Sequence, residues 1–194
     1  NPGQSSCLDA SAGYYVDTTA ATSQTACSAG TYQPNTGQSS CIDASAGYYV
    51  ASTASTGQTP CAVGTYQPNT GQSSCLDAPA GTYVDSTGAT SSTDCPVGTY
   101  QPNTGQSSCI DASPGYFVGN TGSSIQTACD VGTYQNQTGQ SLCIDAPAGT
   151  FVNTTAATSP TDCPMGAYQP NTGQTSCIDA PAGTYVDTTG ASTP

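Results

Sequence analysis

Aromatic and polar positions in this chain recur on a seventeen-residue interval that never slips. The aromatics are Tyr15, Tyr32, Tyr49, Tyr66, Tyr83, Tyr100, Phe117, Tyr134, Phe151, Tyr168 and Tyr185, each two residues after a glycine of the series running from Gly13 to Gly183. A threonine keeps the same interval from Thr19 and Thr36 to Thr172 and Thr189. An unbroken short period marks a stacked array of small units rather than a globule. With position 1 set at residues 10, 27, 44, 61, 78, 95, 112, 129, 146, 163 and 180, every unit falls into register.

Each unit reads as a β-hairpin. The segments G-T-Y-Q and G-Y-Y-V have strand character, and N-T-G (Asn35 to Gly37, Asn69 to Gly71, Asn103 to Gly105) is turn chemistry that tolerates positive φ. Q-S-S-C-I then returns as the second strand. An isolated hairpin is marginal in water. Stacking is therefore expected to bury the aromatic at position 6 together with Ile42, Leu76, Ile110, Ile144 and Ile178. The expected fold class is small disulfide-rich β: an elongated, solenoid-like rod of 17-residue hairpins with a 34-residue cysteine period, continuous over residues 1–194. Neither end resembles a cap, so the chain reads as a window onto a longer array, with partial repeats at both ends.

Cysteines lie at 7, 27, 41, 61, 75, 95, 109, 129, 143, 163 and 177, with gaps alternating between 20 and 14. Positions 1 and 15 of a unit are both Cys or both something else: Ala44 with Gln58, Ala78 with Ser92, Ala112 with Gln126, Ala146 with Pro160. Residues lost as a pair are most simply bonded as a pair. This predicts Cys27–Cys41, Cys61–Cys75, Cys95–Cys109, Cys129–Cys143 and Cys163–Cys177, and leaves Cys7 with a partner upstream of Asn1. Pairing across the longer gap, as in Cys41–Cys61, stays open, because spacing alone does not fix connectivity. A bridge closing so short a loop contributes about 3 kcal/mol in the loop-entropy account.

The string C-P-V-G-T-Y-Q-P-N-T-G-Q-S-S-C, from Cys95 to Cys109, resembles the cysteine-rich repeats of tumour-necrosis-factor receptors and the ephrin-receptor-like repeats. Those families commonly carry two cysteines at each junction. Here Cys75 is followed by Ala78, and Cys95 is preceded by Ser92, where second cysteines would stand. The resemblance implies an extracellular, disulfide-laddered rod in which the first and last Cys of the string pair.

Composition narrows the function. Leu, Ile, Val and Phe supply roughly a tenth of the residues, below the ~20 % at which disorder becomes the ordinary reading. A fixed Gly, aromatic and Cys in each unit argues instead for a stapled fold of units too small to bury enough apolar surface alone. There is no Lys, Arg, His or Glu, and the net charge is −12. Nucleic-acid binding is excluded for want of phosphate-neutralising groups, and attachment to anionic membranes is disfavoured on the same ground. No apolar run approaches the ~18 residues of a membrane span, so no membrane insertion is expected within this window.

Candidate chemistry is sparse. Two N-glycosylation sequons occur, Asn136-Gln137-Thr138 and Asn153-Thr154-Thr155, with both asparagines at position 8. Ser/Thr-rich stretches such as Ala156 to Pro160 have the composition of O-glycosylated stalks. Asp9, Asp43, Asp77, Asp111, Asp145 and Asp179 each follow a Cys by two residues and raise the question of calcium. Calcium takes six to eight oxygens, and one Asp per 34 residues favours turn capping instead. Zinc lacks a ligand motif, and a nucleophilic Cys would lack a base. No cofactor and no enzymatic activity are expected. The chain reads as an extracellular or cell-surface structural protein, a rigid glycan-bearing rod within a filament or fibril whose partners are further copies of the array. The alternative is the stalk or ectodomain of an adhesin or receptor whose binding tip lies elsewhere.

Overall fold

The structure, a computed structural model, describes residues 7–194. The chain divides into two compact units. The first holds the residues up to Pro79 with Tyr83–Thr93 and Thr104–Ser107, and the second holds Ala80–Thr82, Asp94–Asn103 and Ser108–Pro194. Both are built from the same hairpin. Among the described residues there are ten antiparallel two-stranded ladders and no helix.

Each strand is two residues long, at positions 5–6 and 16–17. In the first unit β3 (Thr31–Tyr32) pairs with β4 (Ile42–Asp43), setting Thr31 opposite Asp43 and Tyr32 opposite Ile42. In the second, β15 (Thr133–Tyr134) and β16 (Ile144–Asp145) repeat the register. The return strand begins after the cysteine, so Q-S-S lies in the loop and only the end of the expected Q-S-S-C-I segment is strand. The ladder stops at position 7 because that residue turns its N–H to the next hairpin.

A four-residue turn launches every hairpin. Thr31 N–H donates to the Ser28 carbonyl at 3.0 Å, and the Thr31 hydroxyl donates to the same oxygen at 2.9 Å. The third turn residue, Gly30, has φ of 90°, which this turn geometry reserves for glycine.

Backbone hydrogen bonds then join each hairpin to its successor. For the step between the hairpins starting at 27 and 44, Gly30 N–H donates to Val50 O (2.8 Å), Gln33 N–H to Ser55 O (3.0 Å) and Ala54 N–H to Cys27 O (2.8 Å). In the second unit Gly132, Gln135 and Ala156 make the equivalent bonds to Val152, Ala157 and Cys129 at 2.8, 3.0 and 2.8 Å. At about 1 kcal/mol net per bond, these three set the order of the stack with no help from large side chains.

Hairpins also touch the one two places along. A methyl group added to Gly64 would collide with the carbonyl of Gly105, and one added to Gly132 with that of Gly173. Hairpins bearing Cys at position 1 thus lie against other Cys hairpins. The same contact joins Ala hairpins, as Gly47 meets Gly88 and Gly115 meets Ala156. Within each unit the array is therefore two rows, a Cys row and an Ala row, stitched by the backbone bonds between successive hairpins.

The core is made of small side chains. Cys27, Ala44, Cys61 and Ala78 in the first unit and Cys95, Ala112, Cys129, Ala146 and Cys163 in the second are fully buried, with Val50, Val84, Val118 and Val152 beside them. This departs from the sequence expectation in one respect. Ile42, Leu76, Ile110, Ile144 and Ile178 are 43–47 % exposed, and the aromatics opposite them are only half-buried. The two-residue ladder turns positions 6 and 16 to the outer face, while positions 1, 4 and 7 point into the stack. At position 4 the glycines are in direct backbone contact with the hairpin two places along, so no side chain fits there.

Candidate functional site

Two kinds of staple close the hairpins. In the Cys row, disulfides join Cys27 to Cys41, Cys61 to Cys75, Cys95 to Cys109, Cys129 to Cys143 and Cys163 to Cys177, each across 14 residues with Cα atoms 5.7–5.8 Å apart. Cys7 is a free, exposed thiol. In the Ala row the place of the second cysteine is held by glutamine in three hairpins. Gln24, Gln58 and Gln126 each accept a 2.7 Å bond through Oε1 from the backbone N–H of Ser11, Ser45 and Ser113 respectively. In the hairpins that start at 78 and 146, position 2 is Pro79 or Pro147, which has no N–H to satisfy, and position 15 is Ser92 or Pro160.

Position 7 follows the same alternation. Cys hairpins carry a buried glutamine: Gln33, Gln67, Gln101, Gln135 and Gln169 are each 3 % exposed. Gln101 Nε2 donates to Ser108 O at 2.8 Å and Gln101 Oε1 accepts from Asn103 N–H at 3.1 Å, so one buried side chain ties together two backbone groups of its own loop. No buried side-chain N or O among the described residues lacks a partner. Ala hairpins place valine there instead. The paired replacement at positions 1 and 15 is read from the sequence above, whereas the bond to position 2 and the Gln/Val alternation at position 7 are visible there only as coupled alternation.

The acidic series does not cap its own turns. Asp43, Asp77, Asp111 and Asp145 are the last residues of return strands, and their carboxyl groups lie over the turn glycines Gly71, Gly105, Gly139 and Gly173, in the next hairpin of the same row. Among the described residues no three His, Cys, Asp or Glu side chains come together as a metal-ligand set. Asn136 and Asn153 are both exposed in the loop after the first strand, with Thr138 and Thr155 also exposed. No helix among the described residues is long and apolar enough to cross a membrane.

A tandem β-hairpin array laddered by disulfides, with a core of Cys, Ala, Gly, Val and Gln, defines a cysteine-rich repeat module. The family described as tyrosine-protein kinase ephrin type A/B receptor-like matches residues 47–95, 93–129, 115–163 and 161–194. These overlapping matches span about three quarters of the chain, and the chain belongs to that family of cysteine-rich repeats. Such repeats are typical of extracellular domains, and the family is not an enzymatic one. No curated protein matches the chain.

Proposed function

We propose that the chain is a structural repeat of the cell exterior, a glycan-bearing spacer within a surface filament or fibril. The observation that carries this reading is uniformity: the same three backbone bonds join hairpin to hairpin in both compact units, and no hairpin differs enough from its neighbours to form a separate site. An array whose steps repeat suits spacing and assembly better than recognition of one ligand. The two exposed sequons at Asn136 and Asn153 supply attachment points for glycans on successive hairpins. Further copies of the array are its filament partners in this reading.

The family match favours a second reading, in which the repeats form the stalk of a receptor or adhesin. Electron microscopy of the unreduced material from its native source separates the two. Continuous fibres with an axial repeat of one or two hairpins support the filament. Discrete particles ending in a distinct head would refute it in favour of the stalk. Mass spectrometry of the same material, before and after treatment with an asparagine-glycan amidase, tests Asn136 and Asn153.

A further inference from the structure

We propose that the Cys row is a docking surface for a basic amphipathic polypeptide, one that lays aliphatic side chains on a column of exposed Ile and Leu and cationic side chains on the Asp column beside it. In the first unit the apolar column contains Ile42 (44 % exposed) and Leu76 (47 %), and in the second Ile110 (44 %), Ile144 (43 %) and Ile178 (45 %). The turn tips of the same hairpins add Val63 in the first unit, and Val97, Val131 and Met165 in the second, all 46–67 % exposed.

The hairpin itself does not require this apolar column. The Ala row builds the same ladder with threonine at position 16, as Thr25 opposite Tyr15, Thr59 opposite Tyr49 and Thr127 opposite Phe117. Threonine therefore satisfies the strand, and at position 16 the large aliphatic groups are confined to one row. Because like hairpins are in direct backbone contact, each unit repeats the aliphatic group at every step of its Cys row.

Charge identifies the occupant. Each aliphatic residue is followed by an exposed aspartate, Asp43, Asp77, Asp111, Asp145 or Asp179. The chain has no Lys, Arg or His to neutralise them and a net charge of −12. A second copy docking on this row would set aspartates against aspartates with no cation between them, which disfavours that pairing. Lysine or arginine alternating with aliphatic residues meets both columns. Half-buried tyrosines such as Tyr66 and Tyr134 stand in register opposite the aliphatic residues, and aromatic rings attract the same cations.

The test uses the natively oxidised 194-residue chain and three labelled probes followed by fluorescence anisotropy: a peptide of alternating Leu and Lys, an oligolysine of equal charge, and a peptide of alternating Leu and Glu. The Leu–Lys peptide is expected to bind at least about tenfold tighter than oligolysine at about 150 mM salt, with the Leu–Glu peptide not binding. A variant with Ile42, Leu76, Ile110, Ile144 and Ile178 all changed to Thr imports the residue the Ala row already carries, so the fold is retained. Its hydrogen-exchange protection should match the parent, and the preference for Leu–Lys over oligolysine should vanish. Changing Asp43, Asp77, Asp111, Asp145 and Asp179 to Asn should weaken both cationic peptides and flatten the salt dependence. Equal binding of the two cationic peptides, or a threonine variant that binds like the parent, would overturn the proposal. So would a threonine variant that differs only in its own sedimentation, because the column would then join copies of this chain.

Discussion

Two glycines of one hairpin row test whether contact between like hairpins governs stability. Gly98 and Gly139 both have positive φ, 82° and 70°, so alanine at either site pays roughly 1–2 kcal/mol for the left-handed conformation. Loss of chain freedom in the unfolded state returns roughly 0.4–1 kcal/mol in both cases. The sites differ in what the new methyl meets. At Gly139 it lies 3.5 Å from the Asp111 carboxyl carbon, an ordinary contact, and at Gly98 it runs into the backbone carbonyl of Gly139 itself. Such overpacking adds roughly 1–3 kcal/mol, because a backbone cannot swing aside as a side chain can. Gly139→Ala should therefore cost about 1 kcal/mol and Gly98→Ala about 3 kcal/mol. Native-state hydrogen exchange of the oxidised protein, read by peptic fragments, measures both. The loss for Gly98→Ala should extend to the Gly132 and Gly139 amides of the neighbouring hairpin. Equal costs for the two variants would refute the contact between like hairpins as a determinant of stability.

Gln101→Ala removes two part-buried hydrogen bonds to its own loop and should destabilise by about 1–3 kcal/mol, measured as a shift in the guanidinium midpoint at constant slope. Gln58→Pro alone leaves the Ser45 N–H without its acceptor and should cost about 1 kcal/mol, and adding Ser45→Pro should recover most of it, as Pro147 with Pro160 already stand together. Replacing a disulfide with the Ala-row staple, by Cys129→Ala, Asp130→Ser and Cys143→Gln, should retain the hairpin's amide protection pattern while lowering its stability by about 2 kcal/mol. Ala156→Gly relieves a non-glycine residue at φ 56° and should change stability by less than about 1 kcal/mol, because strain relief and lost chain stiffness nearly cancel.

The hairpin unit, its period and its β class were legible because they depend on local chemistry: Gly in a turn, β-prone Thr-Tyr after it, and an invariant interval. The direction of side chains was not. A two-residue ladder is too short to show alternation, and Ile42 or Ile144 beside a cysteine looks like core until the stack is seen to close on Gly30 and Gly132. The glutamines were hidden for a different reason. Nothing local marks Gln101 or Gln126 as bonded, and their bonds to the loop and to Ser113 emerge only when positions 2, 7, 9, 14 and 15 are brought together by the fold. The aspartates were read one turn at a time, whereas their contact is with the next hairpin of the same row. A trace of that contact does exist in the chain: residues 28 before Gly71, Gly105 and Gly139 are Asp, and residues 28 before Ala54 and Ala156 are Ala26 and Ala128.

Contact between alternate hairpins gives the array a parity. Inserting or deleting one 17-residue hairpin would carry every following cysteine hairpin into the other row, setting disulfide hairpins against Ala hairpins and breaking the position 16 aliphatic series at the junction. A change of 34 residues leaves both rows in phase. The permitted quantum of length is therefore the pair, and a tandem gene encoding such a chain can lengthen or shorten by unequal exchange without structural penalty only in steps of two hairpins. A calibrated series of lengths is available to this architecture, and odd members of that series carry a fault at a definable place.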